Sequence, residues 1–212
     1  MSPTLVVLIG GGTGVGKSTV ASELARALGI THVSSTDLIR EILRSVVSEN
    51  MAPELARSSF ELDRDASPRA HAEFERQARQ VLVGVRAEIQ RAGREGTSLI
   101  LEGIHLFPGL VDLGAASGSV VVHVILTLDD RDALVQRLEK RADESARPAE
   151  RYEDGLEAIR ELQGHLVTSA RRTGVPVIEN RHVDATVRVM RHLIDEALES
   201  VRATPGMERA AG

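Results

Sequence analysis

The segment Gly11-Gly12-Thr13-Gly14-Val15-Gly16-Lys17-Ser18 has the residue types and spacing of a phosphate-binding loop, G-x-x-x-x-G-K-[ST]. It follows the apolar run Leu5 to Ile9 and precedes a helical pattern, which is the context such a loop needs. Glycines let the backbone turn tightly and aim successive N–H groups at the α- and β-phosphates of a nucleoside triphosphate. The next helix turns the positive end of its dipole on the same anion. Gly12, Thr13, Gly14, Val15, Gly16 and Thr19 would line the phosphates, Lys17 would reach the β- and γ-phosphates, and Ser18 would offer its hydroxyl to Mg2+. Lysine recurs only at Lys140, and arginine carries nearly all other positive charge. A compact ammonium suits a phosphate better than a wide planar fork does. These residues imply a bound nucleoside triphosphate.

Which chemistry the triphosphate serves is narrowed by what the sequence lacks. With two lysines there is no guanine-reading Asn-Lys-x-Asp segment, and no LSGGQ-like signature of a transporter ATPase is present. A ring ATPase would need a longer chain. A small phosphotransferase remains, which needs an acid beside the acceptor hydroxyl, a Mg2+ site, and cations on a closing flap. Asp37 follows the second strand, where it could orient or deprotonate the acceptor; it could equally cap the next helix. Arg40 and Arg44, one turn apart, make a fork for an anionic acceptor, or else a solvated face paired with Glu41. Glu102 ends the third strand, where an acid would hold Mg2+ through water; otherwise it is an acid in a turn. His105 stands near the acceptor and is otherwise structural. Arg137, Arg141, Arg147 and Arg151 are spaced to clamp triphosphate oxygens, Arg141 and Arg147 foremost, though charge runs are usually solvated. Asn180, after the last strand, falls where the adenine would pack.

The elements that must position these residues alternate between strand and helix, the pattern of an α/β fold with a five-stranded, mostly parallel sheet. Strands are expected at Leu5–Ile9, Thr31–Ser34, Ser98–Glu102, Val120–Leu126 and Val175–Ile178. Helices are expected from Lys17 to Leu28, Asp37 to Ser48, Ser67 to Ala92, Asp130 to Ala142, Glu153 to Arg172 and Ala185 to Val201. The third of these shows its buried face as Phe74, Ala78, Val81, Leu82, Val85 and Ile89. Asp129 is expected to cap the fourth. Residues 50–65 read as irregular. Residues 1–203 make one domain with an arginine-rich lid at about 142–152, followed by a disordered tail, 204–212. Absence of cysteine suits a cytoplasmic protein, and neither an export signal nor a spanning run is visible. A net charge of −5, no Trp, one Tyr and three Phe argue against a nucleic-acid partner. The ligands should be small molecules. Oligomeric state is not legible.

Beyond the loop, four segments carry a wider resemblance: Ser34-Ser35-Thr36-Asp37-Leu38-Ile39-Arg40, Arg57-Ser58-Ser59-Phe60, Leu101-Glu102-Gly103-Ile104-His105-Leu106-Phe107-Pro108-Gly109 and Val175-Pro176-Val177-Ile178-Glu179-Asn180. With Ile159-Arg160 they resemble 2-phosphoglycerate kinase and its relatives among the phosphate-loop small-molecule kinases. The resemblance implies a kinase fold, ATP, Mg2+, and transfer of the γ-phosphoryl group to the hydroxyl of a small anionic metabolite. In the namesake case that metabolite is 2-phosphoglycerate and the product 2,3-bisphosphoglycerate. The archaeal members carry an extra N-terminal module, and here the first strand opens at Leu5. A nucleoside, a sugar phosphate or a secondary metabolite therefore stays open as acceptor, as does a switch that uses ATP only to change shape.

Overall fold

The computed structural model describes residues 3–56, 68–116, 118–143 and 155–203. Five strands form one sheet in the order β2-β3-β1-β4-β5. They are β1 (Thr4–Gly11), β2 (His32–Ser35), β3 (Leu99–Glu102), β4 (Ser119–Thr127) and β5 (Val177–Glu179). All four strand pairs are parallel. Parallel neighbours need crossovers. Between the strands run α1 (Lys17–Leu28), α2 (Thr36–Val46), the short α3 (Pro53–Ala56), α4 (Pro68–Glu95), α5 (Arg131–Asp143) and α6 (Leu156–Thr173), and α7 (Val183–Ala203) follows the last strand.

Side chains of β1 alternate between two cores, as a period of two dictates. Leu5, Val7 and Ile9 pack with Val20 and Leu24 of α1 and Met190 and Ile194 of α7. Val6 and Leu8 face the other way, onto Ile39 of α2 and Val81, Leu82, Val85 and Ile89 of α4. The six residues expected on the buried face of α4 are all buried. Each large one contributes about 1.5–3 kcal/mol by leaving water, which outweighs the modest helix propensity of its valines and isoleucine. A third cluster joins Phe74 of α4, Ile104, Phe107, and Leu162 and Leu166 of α6 under the site.

Several boundaries differ from the sequence expectation. Residues 53–56 are helical within the stretch read as irregular, with Pro53 in the first turn, where a missing N–H costs nothing. Asp130, not Asp129, caps α5: its Oδ1 accepts from Ala133 N at 3.0 Å, while Asp129 accepts from Thr127 Oγ1. The last strand begins at Val177 because Pro176 has no N–H to donate, although its carbonyl accepts from Ile125 N at 2.9 Å. α5 continues to Asp143, into the expected lid. The rest of that lid with Arg147 and Arg151, the Arg57–Phe60 segment and the tail at 204–212 lie outside the described residues. No helix among the described residues is long and apolar enough to cross a membrane.

Candidate active site

Register across three strands builds the site. Ile9 of β1 pairs with Glu102 of β3, and Glu102 pairs with Ser35 of β2. The residues that follow therefore leave the sheet together at its carboxyl edge: the phosphate loop, Thr36-Asp37, and Gly103 to His105. An open parallel sheet places its ligand crevice at this edge.

Ser18 and Glu102, 84 positions apart in sequence, meet here, with Ser18 Oγ donating to Glu102 Oε1 at 2.9 Å. Hydroxyl and carboxylate oxygens suit Mg2+, which takes few protein ligands and completes its shell with water and phosphate. Lys17 Nζ donates to Gly12 O at 2.8 Å, so the loop folds back over its own lysine. A cleft of about 460 Å³ is lined by Gly14, Gly16, Lys17, Ser18 and Thr19 together with Lys140 and Arg141 from the last turn of α5. Arg141 is exposed there and makes no ion pair among the described residues. Gly12 packs against the Gln163 side chain of α6 and Val15 is fully buried, so these two shape the loop from behind. Thr13 is half-buried in the same turn.

Asp37 is left available by its neighbour. Ser35, with extended backbone, accepts from Leu38 N at 3.2 Å and caps α2, so the helix-cap role does not fall to Asp37. The Asp37 carboxylate lies in the first turn, 61% exposed at the crevice rim, where the helix dipole favours negative charge.

His105 sits beneath it, fully buried, with Nδ1 3.9 Å from Asp37 Oδ1. Burial holds its pKa at about 4, against the pull of Asp37, with Arg40 and Lys17 lowering it further. It is neutral near pH 7, so the contact with Asp37 is no ion pair. The tautomer follows from its partners. Gln77 Nε2 donates to Glu54 O, which turns Oε1 toward His105 Nε2 at 3.0 Å. Nε2 is then the donor, and Nδ1 accepts from the Thr36 hydroxyl at 2.9 Å. With both ring nitrogens used, buried His105 ties the start of α2 to Gln77 of α4. Gly103 makes room for this: at φ +150, a Cβ would overlap Thr36 Oγ1.

Two of the expected ligand sets are engaged within the protein. Arg40 is buried, its Nη1 donating to Leu55 O at 2.8 Å, which staples α2 to α3. Glu41 pairs with Arg40 on one side and with Arg44 on the other, at 2.7 Å. The fork is closed by a carboxylate rather than held open to an anion. Asn180, expected beside the adenine, is fully buried and spends its amide on Val15 O and Thr186 Oγ1. Arg137 likewise faces the loop: it donates to Val15 O at 3.2 Å and to Asn180 O at 2.7 Å, and burial lowers its pKa.

Thr36, Gln77, Gln163 and Thr186 escaped the sequence reading. Gln77 and Gln163 carried a signal, because each is a glutamine lying on the buried stripe of a long helix. Gln163 answers it by bonding both backbone groups of Leu128, at 3.1 and 3.3 Å.

A family model described as an AAA domain matches residues 7–163. A 2-phosphoglycerate kinase of Pyrococcus horikoshii is 39% identical over 209 residues, covering 95% of this chain and 68% of the relative. Those of Methanocaldococcus jannaschii and Thermococcus kodakarensis are 38% and 39% identical, covering 96% and 86% of this chain. The chain spans 67% and 63% of those two relatives. Among solved structures, a gluconokinase from Sinorhizobium meliloti superposes with a TM-score of 0.56 at 17% identity, over 97% of this chain and 99% of that one. A shikimate kinase from Acinetobacter baumannii gives 0.52 at 16% identity, over 92% and 94%. At such identities these two establish the fold alone. On its similarity to the archaeal enzymes over most of its length, the chain belongs to the 2-phosphoglycerate kinase family, built on the phosphate-loop small-molecule kinase fold.

Proposed function

We propose that the protein is an ATP- and Mg2+-dependent kinase that phosphorylates a hydroxyl of a small anionic metabolite, 2-phosphoglycerate being the first candidate. The observation that carries the reading is the shared row of Ile9, Glu102 and Ser35, which delivers loop, acid and Asp37 to one edge. In this reading the acceptor oxygen attacks the γ-phosphorus, the bond to the β–γ bridging oxygen breaks, and ADP leaves. Asp37 orients the acceptor hydroxyl and takes its proton. Lys17 follows the charge on the transferring group, and Arg141 neutralises phosphate oxygens from the α5 side. Arg147 would join it from outside the described residues. Ser18 and Glu102 would hold Mg2+, which screens the phosphates when bound. The reaction is one of cytoplasmic metabolism, with neither nucleic acid nor membrane as partner.

Glu41 favours a second reading, in which the acceptor is another hydroxyl compound. Glu41 already takes Arg44 Nε and Nη2, so an anion that meets Arg44 there competes with that carboxylate. The test is ATP consumption with 2-phosphoglycerate, 3-phosphoglycerate, glycerate, sugar phosphates and nucleosides. Preference for a phosphorylated hydroxy acid supports the first reading. Preference for an uncharged acceptor establishes the second, and ATP turnover indifferent to every acceptor would leave a switch.

A further inference from the structure

The Val15 carbonyl, in the middle of the phosphate loop, receives two side-chain donors from distant elements. Asn180 Nδ2 reaches it at 2.8 Å and Arg137 Nη1 at 3.2 Å. Asn180 is itself fixed on every side. Its N–H donates to Thr127 O at 2.8 Å, its carbonyl accepts from Arg137 Nη2, and its Oδ1 accepts from Thr186 Oγ1 of α7 at 2.8 Å. The threonine hydroxyl orients the amide, so that its NH2 faces Val15.

A trans peptide is planar, and its C=O and N–H point to opposite sides. Holding Val15 O therefore fixes where Gly16 N–H points: away from Asn180, to the side on which the loop wraps its ligand. A half-turn of this peptide would present a carbonyl dipole to the phosphates instead. Gly16 itself, at φ +87, is open to no substitute, since a Cβ would stand 2.7 Å from Asn180 Nδ2 and 3.3 Å from Arg137 Nη1.

We propose that Asn180, supported by Arg137 and Thr186, is a positioning residue that sets the polyphosphate affinity of the loop by holding the Val15 carbonyl outward. The inference rests on the nucleotide-binding reading above and adds to it a buried residue that acts through the Val15 carbonyl.

Binding of inorganic tripolyphosphate and, separately, of adenosine to the full chain tests it, with Asn180→Asp and Thr186→Val as variants and thermal melts to show that each is folded. Asn180→Asp keeps the shape and sets an oxygen against Val15 O. It should lose about tenfold or more in tripolyphosphate affinity and leave adenosine unchanged. Thr186→Val removes only the orienting hydroxyl and should cost about two- to fivefold in tripolyphosphate affinity, again sparing adenosine. If Asn180→Asp does not fold, Thr186→Val decides. Tripolyphosphate affinity equal to wild type in the folded variants overturns the inference, as does an equal loss for adenosine. Wild-type protein that binds neither ATP nor tripolyphosphate would instead overturn the nucleotide reading beneath it.

Discussion

Two neighbouring residues divide work that either could do alone. Ser35 caps α2 through its hydroxyl, which leaves the Asp37 carboxylate for the crevice. Asp37→Asn should therefore lower kcat by about 10²-fold while sparing ATP KM and the melting temperature. Ser35→Ala should do the reverse, costing about 1 kcal/mol of stability with a smaller effect on turnover. Steady-state kinetics and thermal melts on the two variants check the division. A second pair, Ser18 and Glu102, predicts a metal effect. Glu102→Gln should raise the Mg2+ concentration needed for half-maximal rate severalfold, read from a Mg2+ titration at saturating ATP. If Lys17 follows the charge on the transferred group, as proposed, Lys17→Ala should abolish turnover in a folded protein.

At the scale of elements, α2 holds the question of the acceptor. Its Arg40 is used inward, as a staple to α3, and its Glu41 occupies Arg44. The pair at Arg44 is half-exposed, so it contributes little stability and can exchange partners. If Arg44 grips a phosphorylated acceptor, Glu41→Gln should lower the KM for that acceptor by a few-fold, and Arg44→Ala should raise it about tenfold. KM for ATP should stay constant in both if α2 serves the acceptor, as proposed. Spacing alone left the open fork and the pairing with Glu41 both standing, because one glutamate at position 41 lies within reach of both arginines. The buried face of α4 was legible, because six apolar residues at helical spacing admit one orientation against a sheet.

The whole molecule carries two histidines buried in neutral form, and this links its stability to pH. His105 and His123 both have pKa values lowered by burial to about 4, below the ordinary value of 6.5. Between those values the unfolded chain binds more protons than the folded one, so stability rises with pH there. It should be flat in this respect above about pH 6.5, fall as pH drops toward 4, and level again below that. His123 Nε2 bonds to Leu106 O at 3.2 Å, and glutamine can supply that donor without titrating. His71, whose pKa burial also lowers, adds to the same loss, so His123→Gln should remove only the share that His123 carries between pH 6.5 and 4. Urea unfolding at a series of pH values measures it.

By itself the sequence determined the phosphate loop, the alternation of strands and helices, and the acids at strand ends. These are local statements, written in a motif, a period, or a residue's place next to its own strand. Which polar side chains turn inward was decided by tertiary structure. Asn180 is spent on a carbonyl 165 positions away, His105 on a hydroxyl 69 positions away, and Arg40 on a carbonyl 15 positions away. Each would be a plausible ligand if its neighbours in sequence were its only neighbours. Tertiary packing brings distant backbone and side-chain groups beside them instead. A buried polar group left without a partner is costly enough to claim such side chains before any ligand does.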